Sequence, residues 1–343
     1  MNSKSDRSIL LIYTGGTIGM VNDPVTGSLV PIDFEHISDQ VPELKKFGYR
    51  LKAKSFEPVD SSNINTGSWI RIAGLIEENY NKYDGFVILH GTDTMAYTAS
   101  ALSFILRNLE KPVILTGSQL PIGVLRTDGK ENLITAIEIA ASESDGLPVV
   151  PEVCIYFDNK LMRGNRTTKI SAEHFNAFES PNYPPLAEAG LHIRFNRNLI
   201  RYPVIRGELT VKKDFDNNVA VLKLFPGISR SFIHSVLTTP GLKGLIIETY
   251  GSGNAPTYDW FLQELEDYIM KGGLILNVTQ CHGGMVEMGL YETSRELLEA
   301  GVISGRDITS EASVTKLMFL LGMYGDKEKV VSGLNRSLAG EIS

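Results

Sequence analysis

Residues 85–89, Gly-Phe-Val-Ile-Leu, form a short apolar run that stops at His90-Gly91-Thr92-Asp93-Thr94. A small-residue segment, 95–106, follows with its apolar positions at helical spacing. A run of this length bounded by Asp84-Gly85 reads as a buried parallel strand. The handover puts a hydroxyl and a carboxylate beside free backbone N–H groups and the positive end of a helix dipole. Open α/β sheets hold their ligands at such carboxyl ends of strands. Taken alone, the same residues read equally well as a helix cap. What shifts the balance is that the pattern recurs.

Residues 9–13 form a first strand that exits into Thr14-Gly15-Gly16-Thr17-Ile18-Gly19. A dinucleotide fingerprint needs glycine where Thr14 stands, and no Gly-Lys-Ser/Thr follows to cradle a phosphate. The two glycines instead allow close backbone approach beside the Thr14 hydroxyl. The polar stretch 20–28, with Asn22, Asp23, Pro24 and Gly27, is expected to be a mobile loop. Residues 55–59 read as a short strand ending at Asp60-Ser61-Ser62-Asn63, and 69–83 as an amphipathic helix. Residues 112–115 end at Thr116-Gly117-Ser118-Gln119, with a helix to follow at 130–141. A fifth strand, 153–157, leads into a polar, basic loop over 160–169. Between about 178 and 218 periodicity is lost, and the segment 194–202 reads as surface structure and interdomain linker. Asp216-Asn217-Asn218 reads as a turn between two strands. Strands are then expected at 219–225, 244–250 and 274–279, and helices at 259–271, 292–300 and 313–322. Such alternation predicts an α/β protein with a parallel sheet in each half.

Composition narrows the function. The 343 residues suffice for two domains. A net charge of -7 without a basic stripe argues against nucleic acid as a partner. No apolar run approaches the ~20 residues of a membrane span, so no membrane partner is expected. The first apolar run is too short for a signal-peptide core, and the expected location is cytoplasmic. Cys154 and Cys281 sit in apolar surroundings, which makes a disulfide framework improbable. The six histidines show no metal-binding spacing, and no metal is expected.

Strand ends in the first half therefore deliver Thr14, Asp60, Ser61, Gly91, Thr92, Asp93 and Ser118, and the loop after the fifth strand delivers Lys169, with Lys160 nearby as a second amine. A hydroxyl nucleophile without histidine needs another base, and a desolvated lysine can serve. Carboxylates at Asp60 and Asp93 suit a cationic group such as an α-amine. Backbone N–H groups at Ser61 and Thr92 suit a carboxylate and a developing oxyanion. Acyl transfer on a small zwitterion fits this set.

The segments Thr14-Gly15-Gly16-Thr17-Ile18, Asp60-Ser61-Ser62, His90-Gly91-Thr92-Asp93-Thr94, Thr116-Gly117-Ser118-Gln119 and Arg166-Thr167-Thr168-Lys169 resemble those of the bacterial-type L-asparaginases, nearest to the cytoplasmic type I form. Gly251-Ser252-Gly253-Asn254-Ala255-Pro256 and Thr279-Gln280-Cys281 extend the likeness into the second half. The resemblance implies a two-domain α/β fold: a larger N-terminal catalytic domain, 1–198, with a mainly parallel sheet flanked by helices, a linker, 199–215, and a smaller Rossmann-like C-terminal domain, 216–343. It implies hydrolysis of L-asparagine to L-aspartate and ammonia without a cofactor. Thr14 corresponds to the nucleophile, and Thr92, Asp93 and Lys169 to a second catalytic group. Asp60, Ser61, Gly91, Thr92, Asp93 and Ser118 correspond to substrate-binding positions. A homodimer or homotetramer is also implied, with the site near a boundary between subunits and Asn254 reaching it from the second domain.

Two departures stand out. Family members carry a tyrosine in the loop after the first strand, whereas 19–31 here offers only Thr26 and Ser28 as further hydroxyls. Glu248 stands where the allosteric type I member has arginine, which predicts weak or absent activation through a second asparagine site near Thr168, Glu248 and Cys281. Competing readings are an asparaginase/glutaminase, the amidase subunit of a transfer-RNA amidotransferase, and a non-catalytic amino-acid sensor on the same fold. His90 and Cys154 are expected to be core residues, and Arg163 and Arg166 loop anchors or interface charges.

Overall fold

The computed structural model describes residues 7–22, 29–31, 41–203, 207–289 and 292–343. The expected mobile loop falls outside the described residues from position 23 to 28, and Thr26 and Ser28 with it. The chain divides into two compact units, Met1–Val211 and Lys212–Ser343.

In the first unit, strands β1 (Ser8–Tyr13), β2 (Arg50–Ser55), β3 (Gly85–Leu89), β4 (Val113–Thr116) and β5 (Val153–Phe157) alternate with helices α1 (Thr66–Asn79), α2 (Met95–Ile105) and α3 (Gly129–Ala141). The five strands are parallel in the spatial order β2-β1-β3-β4-β5. Strands β6 (Lys160–Arg163), β7 (Ala187–Ala189) and β8 (Ile193–Phe195) extend the sheet antiparallel beyond β5. Every residue of β1, β3, β4 and β5 is buried, as continuous apolar runs covered on both faces must be.

The sequence misplaces β2. The expected strand at 55–59 lies at Arg50–Ser55 instead, where Leu51 and Ala53 are half-buried and Lys52 and Lys54 exposed. This is an edge strand blunted by lysines, and its alternation carries a weaker apolar signal than the central runs. Pro58 has no N–H to give, so the ladder cannot continue through 55–59. Phe56 and Val59 still donate their backbone N–H to the Tyr13 and Thr14 carbonyls at 3.0 and 3.1 Å. The segment 194–202 also differs from expectation, because its start belongs to β8 in the sheet.

The strand order reverses between β1 and β3: the chain leaves β1 to one side for β2 and returns on the other side for β3. In open α/β sheets such a switch point is where ligands are held, just beyond the carboxyl ends of the two strands. Thr14 and Thr92 follow these two ends.

The second unit is a parallel sheet of β9 (Val219–Lys223), β10 (Gly244–Thr249), β11 (Leu274–Thr279) and β12 (Ile303–Ser304), in that spatial order. Helices α4 (Arg230–Leu237), α5 (Asp259–Met270) and α6 (Glu292–Glu299) connect successive strands, and α7 (Ser310–Met323) and α8 (Lys327–Leu334) follow. Leu245 and Ile247 share a core with Ile233, Phe261, Leu265 and Leu297. The opposite face meets α7: a Cβ on Gly244 would stand 2.6 Å from the Leu317 side chain. Asp216 accepts from Asn218 N at 2.9 Å and turns the chain into β9.

The buried pair Lys316–Glu341 fastens the last residues of the chain. Lys316 Nζ donates to Glu341 Oε1 at 2.7 Å and to the Leu334 and Arg336 carbonyls at 3.0 and 2.8 Å. Glu341 also accepts from the Leu338 and Ala339 N–H groups. Lys316→Met leaves Glu341 buried and uncompensated, with an expected loss of about 3–5 kcal/mol. A urea midpoint unchanged from the parent would contradict this role.

Candidate active site

Thr14 leaves β1 tied to β3, since its backbone N–H and its Oγ1 each reach the Leu89 carbonyl at 3.0 Å. The loops then pack backbone against backbone. Gly16 has φ +91, a region open to glycine, and a Cβ there would stand 2.5 Å from the Gly91 Cα and N. A Cβ on Gly91 would in turn stand 2.6 Å from Ser61 Oγ. Thr94 Oγ1 adds a bond of 2.7 Å to the Ser61 carbonyl. Gly16 therefore meets the Gly91 backbone and Gly91 meets the Ser61 side chain with no room for a Cβ, which accounts for glycine at both positions.

Asp60 opens the turn Ser61–Asn63 and accepts from Ser62 Oγ at 2.7 Å and Ser62 N at 2.8 Å. The Ser62 hydroxyl first, and then its N–H, hold the Asp60 carboxyl below its ordinary range. Lys169 arrives on a two-residue strand, Thr168–Lys169, paired with Phe178–Glu179. Its Nζ donates to Thr92 Oγ1 and to Asp93 Oδ1, both at 2.7 Å. The Lys169 side chain is 17% exposed and that of Asp93 65%, so the ammonium sits inside while the carboxylate faces water. Lys169 rather than Lys160 makes this contact; Lys160 lies exposed at the start of β6.

Three further residues had no role in the sequence reading. Thr92 Oγ1 donates to Gln119 Oε1 at 3.4 Å, and Gln119 Nε2 donates to the His174 carbonyl at 3.0 Å. Asp128 accepts from the N–H groups of Gln119 and Leu120, and Asn132 Nδ2 donates to the Gly117 carbonyl. In sequence Asp128 is simply an acid ahead of a helix, yet it makes no side-chain cap and faces the Ser118 loop instead. Ser118 is buried and its Oγ donates to the Leu120 carbonyl at 2.6 Å.

Tyr13 is the described tyrosine next to Thr14. Its ring is wholly buried, a Cβ on Gly19 would lie 2.3 Å from its oxygen, and burial pushes its pKa up to about 12. Arg163 is an anchor, as expected: Nε and Nη2 meet Glu152 at 2.6 and 3.1 Å, and the guanidinium lies 4.3 Å from the Tyr183 ring centre. Arg166, also buried, lies 5.2 Å from the same ring. Cys154 is buried in β5 with its thiol pushed up by burial, and Cys281 is exposed. Among the described residues, no group of three or more His, Cys, Asp or Glu side chains could hold a metal ion.

His90 belongs to the core and its tautomer follows from its neighbours. Trp69 Nε1 can only donate, and it donates to Thr98 Oγ1 at 3.1 Å. The Thr98 hydroxyl is then free to give its own proton to His90 Nε2 at 2.9 Å, leaving Nδ1–H for the Gly91 carbonyl at 2.7 Å. The Gly91 turn thereby rests on a neutral imidazole.

An α/β sheet with a hydroxyl, lysine and carboxylate cluster at its switch point defines the class, and comparison supplies the family. The model for asparaginase N-terminal domains matches residues 8–201, and that for glutaminase/asparaginase C-terminal domains matches 218–332. L-asparaginase 1 of Escherichia coli K12 is 44% identical over 348 residues, covering 98% of each chain. The 60 kDa lysophospholipase of Mus musculus is 41% identical over 366 residues, 98% of this chain and 63% of that protein. The crystal structure of L-asparaginase I from Vibrio cholerae superposes with a TM-score of 0.88 at 40% identity, over 99% of this chain and 100% of that one. The chain belongs to the asparaginase family.

Burial pushes the His90 imidazolium down to about 4. Its folded value is below the ordinary ~6.5, so the unfolded chain binds the extra proton and stability is lost as pH falls from about 6.5 toward about 4. NMR of labelled histidine is expected to show His90 neutral at pH 6; a His90 signal titrating above that pH would contradict the relay.

Proposed function

We propose that the chain hydrolyses L-asparagine to L-aspartate and ammonia at the crevice between the β1 and β3 exits. The observation that carries this reading is Lys169 Nζ at 2.7 Å from both Thr92 Oγ1 and Asp93 Oδ1, just after β3, with Thr14 at the end of the neighbouring strand β1. Thr14 attacks the side-chain amide carbon, its hydroxyl proton passes to the departing nitrogen so that ammonia leaves, and water then cleaves the aspartyl ester, giving one proton back to the Thr14 oxygen. Thr92 passes a proton to Lys169 acting as an amine, and Asp93 holds Lys169 in place and binds the substrate's α-ammonium group. Asp60 shares that ammonium, and the N–H groups at Ser61 and Thr92 take the α-carboxylate and the developing oxyanion. Gly91 and Ser118 line the two ends of the bound molecule. No cofactor enters these steps.

Ammonia release from asparagine and from glutamine tests the reading. Release from asparagine at much the higher kcat/KM supports it, comparable release from both favours a broader asparaginase/glutaminase, and none from either favours an amino-acid sensor. Lys169→Met is expected to lower kcat ~10²–10⁴-fold, the range of a lost general base. Near-parent turnover would move that role elsewhere. Ser62→Ala removes the leading cause of the depressed Asp60 carboxyl. The acid limb of kcat/KM is then expected to shift to higher pH, because Asp60 protonates sooner as pH falls.

We further propose a cytoplasmic homodimer or homotetramer, with a catalytic domain over 1–198, a linker over 199–215 and a second domain over 216–343. Kinship over the whole chain supports the assembly, and light scattering would measure it. Glu248 is held by Ser310 Oγ at 2.7 Å. Its carboxylate would repel a second asparagine's α-carboxylate, so a hyperbolic rate curve is expected and a sigmoidal one would contradict it.

A further inference from the structure

The loop that leaves β4, residues 117–120, lies directly against the Thr92 turn. A Cβ on Gly117 would stand 2.5 Å from the His90 carbonyl oxygen and 3.6 Å from Thr92 Cγ2. Any shift of this loop therefore changes the space beside the Thr92 side chain. Ser118, which faces the amide end of the substrate in the proposed reaction, is buried within it. What keeps that loop in place thus decides how much room the amide has.

Side chains from the short stretch 127–132 hold it. Asp128 Oδ1 accepts from the N–H groups of Gln119 and Leu120 at 3.1 and 3.2 Å, and Oδ2 accepts from Gln119 N at 3.0 Å. Asn132 Nδ2 donates to the Gly117 carbonyl at 3.0 Å and to Asp128 Oδ2 at 3.3 Å. Thr127 Oγ1 donates to the Leu120 carbonyl at 3.2 Å, and Ser118 Oγ donates to the same carbonyl at 2.6 Å. A carboxylate accepts hydrogen bonds roughly twice as strong as those of a neutral group, so Asp128 is the main tie. An acid just ahead of a helix ordinarily serves as its N-cap. Asp128 makes no such bond to α3, and its carboxylate turns back to the loop instead. Leu133, Ala136 and Ile137 of α3 belong to the core under the sheet, which gives the clamp a rigid footing. The helix backs the serine as well, since a Cβ on Gly129 would stand 3.2 Å from Ser118 Cβ.

We propose that Asp128 sets the length of substrate the site accepts: by fixing the Ser118 loop, it keeps the pocket matched to asparagine and closed to glutamine, which is one methylene longer. This rests on the hydrolase reading and on Ser118 facing the amide. Asp128 acts through the loop and is a positioning residue. One extra methylene changes kcat/KM by roughly 10–200-fold, and a wall delivers that discrimination only if it does not yield. Freed from its carboxylate, the loop gives way and the longer side chain enters. The same change loosens Gln119, whose Oε1 accepts from Thr92 Oγ1, and so slows turnover of both substrates alike. The ratio of the two substrates separates the effects.

The test is kcat/KM for ammonia release from L-asparagine and from L-glutamine in the parent, Asp128→Asn and Asp128→Ala. The parent is expected to favour asparagine, and the asparagine-to-glutamine ratio to fall roughly tenfold or more in Asp128→Ala. Asp128→Asn keeps one acceptor oxygen and is expected to lie between the two. Should Asp128→Ala fail to fold, Thr127→Val, which frees the Leu120 carbonyl from its hydroxyl, is expected to lower the ratio in the same direction. A ratio matching the parent's in folded Asp128→Ala or in Thr127→Val would overturn the proposal, as would a parent with no preference. Either result, with ammonia still released from asparagine, leaves the hydrolase reading standing. No ammonia from either substrate in the folded parent would overturn both.

Discussion

The structure of the candidate site depends on one close approach, that of the Gly16 backbone to the Gly91 backbone. A side chain at either position would part the loops that leave β1 and β3, because the space it needs is already filled by backbone or by Ser61. Close-packed interiors transmit such strain rather than absorb it. The hydrogen bonds from Thr14 to the Leu89 carbonyl and from Thr94 to the Ser61 carbonyl tie the same three strand exits together beside that contact. It forms where the parallel sheet reverses its strand order, and the two glycines let the loops leaving β1 and β3 lie side by side there.

Charge is then introduced from outside the parallel strands. Lys169 comes from a short hairpin beyond β6, 76 residues along the chain from Asp93 and 77 from Thr92. Burying most of the lysine while leaving the carboxylate in water keeps the pair hydrated on one side and dry on the other. Proton transfer between a hydroxyl and an amine benefits from such an arrangement, since a fixed hydrogen bond substitutes for reorganising solvent. Gln119 and Asp128 extend the support: Gln119 touches both Thr92 and the His174 carbonyl, and Asp128 fixes the loop from which Gln119 projects.

Much of this was legible in the amino-acid sequence, for a physical reason. Strands covered on both faces are mostly apolar, so β1, β3, β4 and β5 stand out as apolar runs, and the residues just after them are automatically ligand-facing candidates. Strand β2 did not, because an edge needs alternation and lysines. Helix α4 escaped notice because it is short and buries only Ile233 and Leu237. Strands β7 and β8 have three residues each, too few for a period to show. Within the site, Thr14, Thr92 and Lys169 were identified through motifs, whereas Gln119, Asp128 and Asn132 act through hydrogen bonds that no spacing encodes. The neutral state of His90 likewise follows from Trp69 and Thr98, which no local pattern connects to it.

The most direct measurement is a crystal structure of the Lys169→Met variant soaked with L-asparagine, in which slow turnover leaves the substrate intact. The expected density places the side-chain amide carbon between the Thr14 and Thr92 hydroxyls, about 3–3.5 Å from an attacking oxygen. Density for asparagine at another position, with the crevice between those two threonines empty, would contradict a shared pocket.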